Sequence, residues 1–248
     1  MINLNGKTVL ITGGSKGIGE ACVKLFSTAG ADTFFTYNSD DKNAEIIKSR
    51  YNCRGIFKLD VTDENAVKNV VKQIIEKTSK IDILVNNAGI WERGELNSTS
   101  VEQWEKTIKT NLTGTFIVTR EVAANMKKEK SGRIINISST ASQRGEANYS
   151  LYAASKGGVN AFTKSLASEL GPFGINTNAV APGWVLTPMT EKVFSDKEYM
   201  QNEIEEIPVR RIATAEDIAG PVLFLASDLA RHINGAILSV NGGSILCG

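Results

Sequence analysis

The sequence predicts an α/β protein, a single domain built on an open, doubly wound parallel sheet of about seven strands with helices on both faces. Three observations predict it. Short β-rich apolar runs alternate with longer segments of helical period, the signature of repeated βα units. The runs are apolar enough for strands buried on both faces, as a parallel sheet requires. At 248 residues and 42% hydrophobic, the chain is long enough for one sizeable core, and no proline-, serine- or glycine-rich linker divides it.

In order along the chain, "TVLITG", "DTFFTY", "GIFKLD", "IDILVNNAG", "GRIINISS", "GINTNAVAPG" and "AILSVNGG" read as the strands. Between them, Lys16 to Thr28, Asp41 to Arg50, Asp63 to Thr78, Val101 to Lys128, Ser150 to Leu170 and Ala215 to Ser227 read as helices, with Gly30, Gly171 and Pro172 as stop signals. One segment breaks the alternation. Residues 184–211 are long and mixed and carry Trp184, Met189, Phe194, Tyr199 and Met200, so they read as a helical lid on a single domain spanning 1–248. In doubly wound sheets ligands sit beyond the carboxyl ends of the strands, where the strand order reverses. The chemically loaded stretches fall at strand ends or in the helices that follow.

Composition excludes several function classes. Lysine plus arginine total 28 against 27 for aspartate plus glutamate, so a net charge of +1 supplies no field to draw in nucleic acid or an anionic membrane. No apolar run approaches the ~18 residues of a spanning helix, and the N-terminus enters a strand pattern at once, so a soluble, cytoplasmic protein is expected. Cys22, Cys53 and Cys247 lack metal-ligand spacing and read as reduced structural thiols; no metal is expected. The single histidine, His232, follows "ASDLAR" and reads as a surface residue, so the working acid or base is not imidazole.

"VLITGGSKGIGEACVKLF" is a strand, a glycine turn and a helix in succession. Gly13, Gly17 and Gly19 let the backbone approach a ligand, and the unpaired N–H groups of the helix face a pyrophosphate. The spacing T-G-x-x-x-G-x-G differs from the commoner G-x-G-x-x-G. It resembles the cofactor turn of the classical short-chain dehydrogenase/reductase family, and the resemblance runs down nearly the whole chain: Asp60 in "KLDVTD", "NNAG" at Asn86 to Gly89, Asn111 in "TNLTGTF", and "APGWVLTPM" with Thr187. The pattern is closest to 3-oxoacyl-[acyl-carrier-protein] reductase-like members. It implies a Rossmann-type fold and cofactor contacts from Gly13, Ser15, Lys16, Gly17, Ile18 and Gly19; Tyr37, Asn38 and Ser39; Asp60 and Val61; Asn87, Ala88 and Gly89; Tyr152 and Lys156; and Pro182, Gly183, Val185 and Thr187.

Charge indicates which cofactor. NAD-preferring relatives end the second strand with a carboxylate that bonds the ribose hydroxyls and repels a 2′-phosphate. Here Tyr37 stands in that place, followed by Asn38 and Ser39, and Lys16 supplies a positive charge. NADP is expected, with NAD possible because Asp40 and Asp41 follow closely and the arginine many NADP enzymes carry near Ser39 is missing.

The stretch "NYSLYAASKGG" holds two tyrosines upstream of one lysine. On a helix, Tyr152 and Lys156 project from one face with their bases ~6 Å apart, whereas Tyr149 stands ~10 Å from the lysine along the axis. Ser150 or Asn148 is the expected cap, and Tyr149 reads as packing or substrate-side lining. The family's Y-x-x-x-K motif fits Tyr152 and Lys156, and its serine falls on Ser139, with Ser138 on the other face of the strand end. The resemblance makes Tyr152 the proton donor, Ser139 the hydrogen-bond donor to the carbonyl oxygen, Lys156 the cation that lowers the phenol pKa and grips the nicotinamide ribose, and Asn111 the residue that positions a water.

Trp91, Glu92 and Arg93, with Gln143 to Glu146 and the lid, are expected to border a pocket for a small-molecule or acyl-carrier-bound carbonyl. Lys127, Lys128 and Lys130 offer a carrier protein basic contacts, although Glu129 interrupts them and Phe173 stands where another basic residue would help. An NAD-linked sugar or secondary-alcohol dehydrogenase is the alternative. A nucleotide sensor without turnover is a third reading, opposed by the intact set Asn111, Ser139, Tyr152 and Lys156. By family analogy the assembly is a homotetramer.

Overall fold

The computed structural model describes residues 2–246. Seven parallel strands form one sheet in the order β3-β2-β1-β4-β5-β6-β7: β1 (Thr8–Ile11), β2 (Asp32–Tyr37), β3 (Gly55–Lys58), β4 (Ile83–Asn86), β5 (Gly132–Ile137), β6 (Ile175–Pro182) and β7 (Ile237–Val240). The order reverses between β1 and β4, which opens a crevice at their carboxyl ends.

The period-2 alternation of strand side chains divides the core into two layers. Val9, Ile11, Phe35, Val85 and Ile135 face α1 (Gly17–Thr28), α2 (Asp41–Arg50) and α10 (Ala215–Ala226). Leu10, Phe34, Leu84 and Ile134 face α3 (Glu64–Thr78), α5 (Gly114–Glu129) and α7 (Ser150–Leu170). Helix starts follow side-chain caps where the sequence supplies them: Asp40 accepts from the Asn43 amide, Asp63 from Ala66, and Thr214 forms a reciprocal capping box with Asp217.

Three expectations need correction. The helix read over Val101 to Lys128 divides into α4 (Val101–Ile108), a π-helical turn (Lys109–Thr113) and α5, because the Gly114 N–H reaches back to the Lys109 carbonyl. Neither Ser150 nor Asn148 caps α7; Asn148 is left-handed (φ 65°), its carbonyl accepts from Gly94 N–H at 2.8 Å, and Tyr149 holds the cap position without a side-chain bond. The start of α7 is therefore set by the loop after β4. A short helix, α6 (Ala141–Arg144), follows β5 in a stretch with no helical period. The irregular segment contains α8 (Glu191–Phe194) and α9 (Lys197–Glu206), joined by a small cluster of Phe194, Ile207 and Ile212 with Trp184 and Met200 against it. Cys22 and Cys53 are buried free thiols, and Cys247 lies outside the described residues. His232 is exposed, as expected.

A buried polar ladder crosses the sheet toward α7. Asn86 and Asn136 are register partners on β4 and β5; the Asn86 amide donates to Thr119 Oγ1 (2.8 Å) and Asn136 Oδ1 (2.9 Å), and the Asn136 amide donates to Thr163 Oγ1 (2.9 Å). Asn136→Ala removes two of these bonds at a site with no access to water, so urea denaturation is expected to show a loss of about 1–3 kcal/mol.

Candidate active site

The glycine turn closes because Gly13 takes φ 68°, a conformation L side chains rarely adopt, and because a Cβ on Gly19 would strike the Gly13 carbonyl oxygen. Thr12 and Asn87 lock this turn to the end of β4. Thr12 Oγ1 accepts from the Asn87 and Ala88 amides at 3.0 Å each, and Asn87 Nδ2 donates to the carbonyls of Thr12 (2.9 Å) and Gly13 (3.0 Å). Helix α1 starts after Lys16 with no side-chain cap, which leaves its first N–H groups for a ligand.

A cavity of ≈600 Å³ runs along this crevice. It is lined by Gly13, Ser15, Lys16, Gly17, Ile18, Tyr37, Asn38, Ser39, Asp60, Val61, Asn87, Ala88, Gly89 and Thr187. Gly19 serves by packing, at the close approach just described. A backbone cradle with open helix N–H groups at one end and room for an extended ligand fits an NAD(P) cofactor. At the ribose end Tyr37 hydrogen-bonds Asp41, and Lys58 Nζ pairs with Asp41 Oδ2 at 2.9 Å. Asp40 Oδ1 accepts from the Asn43 amide, so neither carboxylate is free of a partner. Asn43 also donates to the Ser15 carbonyl and ties α2 to the turn. This residue escaped sequence reasoning, since an asparagine in a helix's first turn carries no signal of a partner 28 positions away.

A second cavity of ≈170 Å³ adjoins the first and shares Ile18, Asn87, Gly89, Ile90, Thr187 and Met189 with it. Ser139, Tyr152, Lys156, Pro182, Gly183 and Val185 line it. The Ser139 hydroxyl lies beside the Tyr152 phenol, and its Oγ accepts from the Ala141 amide at 3.1 Å. Ser138 diverges as the strand alternation predicts, donating to Asn160 Oδ1 at 2.6 Å.

Lys156 is 5% exposed. Its Nζ donates to the Ile137 carbonyl at 2.7 Å and stands 5.8 Å from the centroid of the Tyr152 ring. Burial brings the ammonium down to about 8. Burial also pushes the Tyr152 phenol up to about 12, with the Ser139 hydroxyl opposing the rise and the charge of Glu146 adding to it. This corrects the expectation that Lys156 depresses the phenol. Both groups are removed from water, the ammonium points at a backbone carbonyl, and desolvation of the phenolate outweighs any attraction.

Asn111 lines neither cavity. It is fully buried in the π-helical turn; Oδ1 accepts from Ile90 N–H (2.8 Å), and Nδ2 donates to the Ile90 carbonyl (2.9 Å) and to Ser155 Oγ (3.0 Å). Its side chain thus clamps the loop after "NNAG" to α7. Tyr149 lines neither cavity and is stacked flat on Trp91, with centroids 4.7 Å apart. Of the expected pocket border, Trp91, Arg144 and Glu146 line the cavity, while Glu92 pairs with Lys106, Arg93 with Glu95, and Gln143 bonds Ser239. Glu203, Glu206, Ile207 and Ser244 also line it; sequence reasoning placed only the first three in a lid and missed Ser244. Among the basic residues considered for a carrier protein, Lys127 pairs with Glu169 at 3.3 Å and lies 5.1 Å over the Phe173 ring.

Comparison with known proteins gives a consistent result. A family model described as enoyl-(acyl carrier protein) reductase matches residues 13–244. The 3-oxoacyl-[acyl-carrier-protein] reductase of Thermotoga maritima is 38% identical over 248 residues, covering 99% of this chain and all of the relative. That of Aquifex aeolicus is 39% identical over 246 residues, 98% of each chain. Among solved structures, a protein from Beutenbergia cavernae, provisionally described as an NAD(P)-dependent gluconate 5-dehydrogenase and holding NADP at low occupancy, superposes with a TM-score of 0.92 at 34% identity over 98% of both chains. With the motif order intact and the match running end to end, the chain belongs to the short-chain dehydrogenase/reductase family.

Proposed function

We propose that the protein is an NADP-dependent ketoreductase that interconverts a carbonyl and a secondary alcohol, similar to the 3-oxoacyl-[acyl-carrier-protein] reductases it resembles. One observation carries this reading: a phenol, a hydroxyl and an ammonium line a cavity that opens into the long crevice over the glycine turn. When bound, NADP(H) supplies the hydride. Tyr152 gives its proton to the carbonyl oxygen as charge grows there, and Ser139 Oγ donates a hydrogen bond to the same oxygen. Lys156 would hold the hydroxyls of the nicotinamide ribose through its ammonium. Asn111 keeps Ile90 and Ser155 in place around the site, and Gly13 to Gly19 hold the pyrophosphate.

Support for NADP over NAD is the absence of a carboxylate at Tyr37, the pairing of Asp41 with Lys58, and the exposed ammonium of Lys16 at the cavity edge. Lys16→Ala is expected to weaken NADPH binding about tenfold, or about 1.4 kcal/mol, with NADH changed less than twofold. Fluorescence titration of both cofactors measures this, and an equal loss for the two would end the assignment.

No helix among the described residues is long and apolar enough to cross a membrane, which suits a cytoplasmic enzyme. The exposed Phe116 and Leu238, on α5 and β7, suit burial in a homotetramer. Oxidation of NADPH by a 3-oxoacyl thioester, followed by the near-ultraviolet absorbance of the reduced nicotinamide, tests the reading. Binding without consumption by any carbonyl would indicate a sensor.

Tyr152→Phe is expected to lower kcat ~10²–10⁴-fold, about 3–5 kcal/mol of barrier, with NADPH still bound. Tyr149→Phe keeps the ring stack with Trp91 and is expected to stay within a few-fold of the unaltered enzyme. The reverse ranking would move the acid to Tyr149.

The buried lysine also has a stability signature. Its pKa of about 8 lies below the ordinary 10.5, so between those values the unfolded chain binds a proton the folded one does not, and stability rises with pH. Below pH 8 the penalty is fully present. Lys156→Met is expected to stabilise the cofactor-free protein by roughly 1–3 kcal/mol at pH 7 and to flatten the rise between pH 8 and 10.5, read by urea denaturation across that range.

A further inference from the structure

The cavity beside Tyr152 has a volume of ≈170 Å³, close to the roughly 150 Å³ of an engineered apolar cavity that takes a single benzene. Ile18, Asn87, Gly89 and Thr187 belong to this cavity and to the larger one, so part of the space goes to the nicotinamide end of the cofactor. What remains for a substrate is compact.

One wall is aromatic and held from both sides. Trp91 and Trp184 meet edge to face, with centroids 5.7 Å apart and planes at 87°. Trp91 is stacked at 2° on Tyr149. Trp184 donates Nε1–H to Glu203 Oε2 at 2.6 Å and lies edge-on to Phe194 and Tyr199, at 5.2 and 6.3 Å. Neither indole can swing aside without breaking a stack or a charge-assisted hydrogen bond. The charged part of the lining carries an excess of one carboxylate: Glu146, Glu203 and Glu206 stand against the Arg144 guanidinium and the Lys156 ammonium. A carboxylate on the substrate would meet like charge in a partly desolvated space.

We propose that this wall restricts the enzyme to short, uncharged carbonyl compounds, namely 3-oxo esters or thioesters with an acyl part of about four to six carbons, and that Trp184 and Trp91 set the length limit. The proposal rests on the ketoreductase reading and sharpens its substrate class. Free 3-oxo acids and long acyl chains are excluded, the first by the carboxylates and the second by the indoles.

Calorimetric binding of a series of 2-alkanones to the NADP-loaded protein reads the pocket independently of turnover. Dissociation constants are expected to fall about fourfold per added methylene up to about six carbons, and then to level off or rise. Trp184→Ala is expected to extend the fall to at least eight carbons. Trp91→Ala, which leaves the lid's own cluster intact, is expected to do the same if loss of Trp184 unfolds the lid. Methyl acetoacetate is expected to bind at least tenfold tighter than acetoacetate. Steady tightening through ten carbons in the unaltered protein, a length profile unchanged in both variants, equal affinity for acid and ester, or no ketone binding at all would each overturn the proposal. Length-limited binding without NADPH oxidation by any ketone would leave this wall standing and remove the ketoreductase reading instead.

Discussion

An ammonium buried away from water, with one backbone carbonyl as its partner, is the constraint around which this molecule is arranged. Lys156 reaches only the Ile137 oxygen, and its pKa falls through burial alone, with no carboxylate to offset it. Such a group costs stability in the free protein. The structure tolerates it because α7 is fixed independently of it: from below by the Asn86–Asn136–Thr163 ladder, and at its start by Asn111 bonding Ser155 and by the Asn148 carbonyl accepting from Gly94. On the proposed roles the lysine waits for a ligand that the fold does not itself supply. A ribose with two hydroxyls is a suitable one.

The same scaffold divides rigid from adjustable parts. The glycine turn, Thr12, Asn87 and Ala88 form a closed set of backbone and side-chain bonds at the switch point between β1 and β4, and fully buried strand residues lie directly beneath. The substrate side is made of loops and the short helices α6, α8 and α9, joined by an aromatic chain from Tyr149 through Trp91 and Trp184 to Tyr199. On the proposed roles substrate preference can change at Trp91 and Trp184, which line the smaller cavity and not the larger one, as expected where loops on a fixed sheet carry specificity.

Much of this was legible in the sequence, because the signals were local. The strand and helix order follows from periodicity, and the placing of Tyr152 beside Lys156 on one helix face follows from helical spacing, with Tyr149 stacked on Trp91 instead. What the sequence did not disclose depends on partners far along the chain. The start of α7 is fixed by Gly94 and not by Ser150 or Asn148, and the π-helical turn accompanies an Asn111 side chain bonded to Ile90, 21 residues away. The Tyr152 phenol misled for another reason. A cation one turn away predicts a lowered pKa, but burial acts on both groups at once, and its depth depends on packing from elements distant in the chain.

That outcome bears on direction. A phenol held near 12 in the ligand-free site is protonated throughout the physiological range, so on the proposed roles the acid needed for carbonyl reduction is always charged with its proton. On the same roles alcohol oxidation needs the phenolate, which burial disfavours in the ligand-free site. The lysine's own pKa of about 8 leaves it mostly protonated at pH 7, so the required cation is present even before the ligand arrives. Burial thus acts in opposite senses on the two groups and leaves both carrying their protons near neutrality in the ligand-free site.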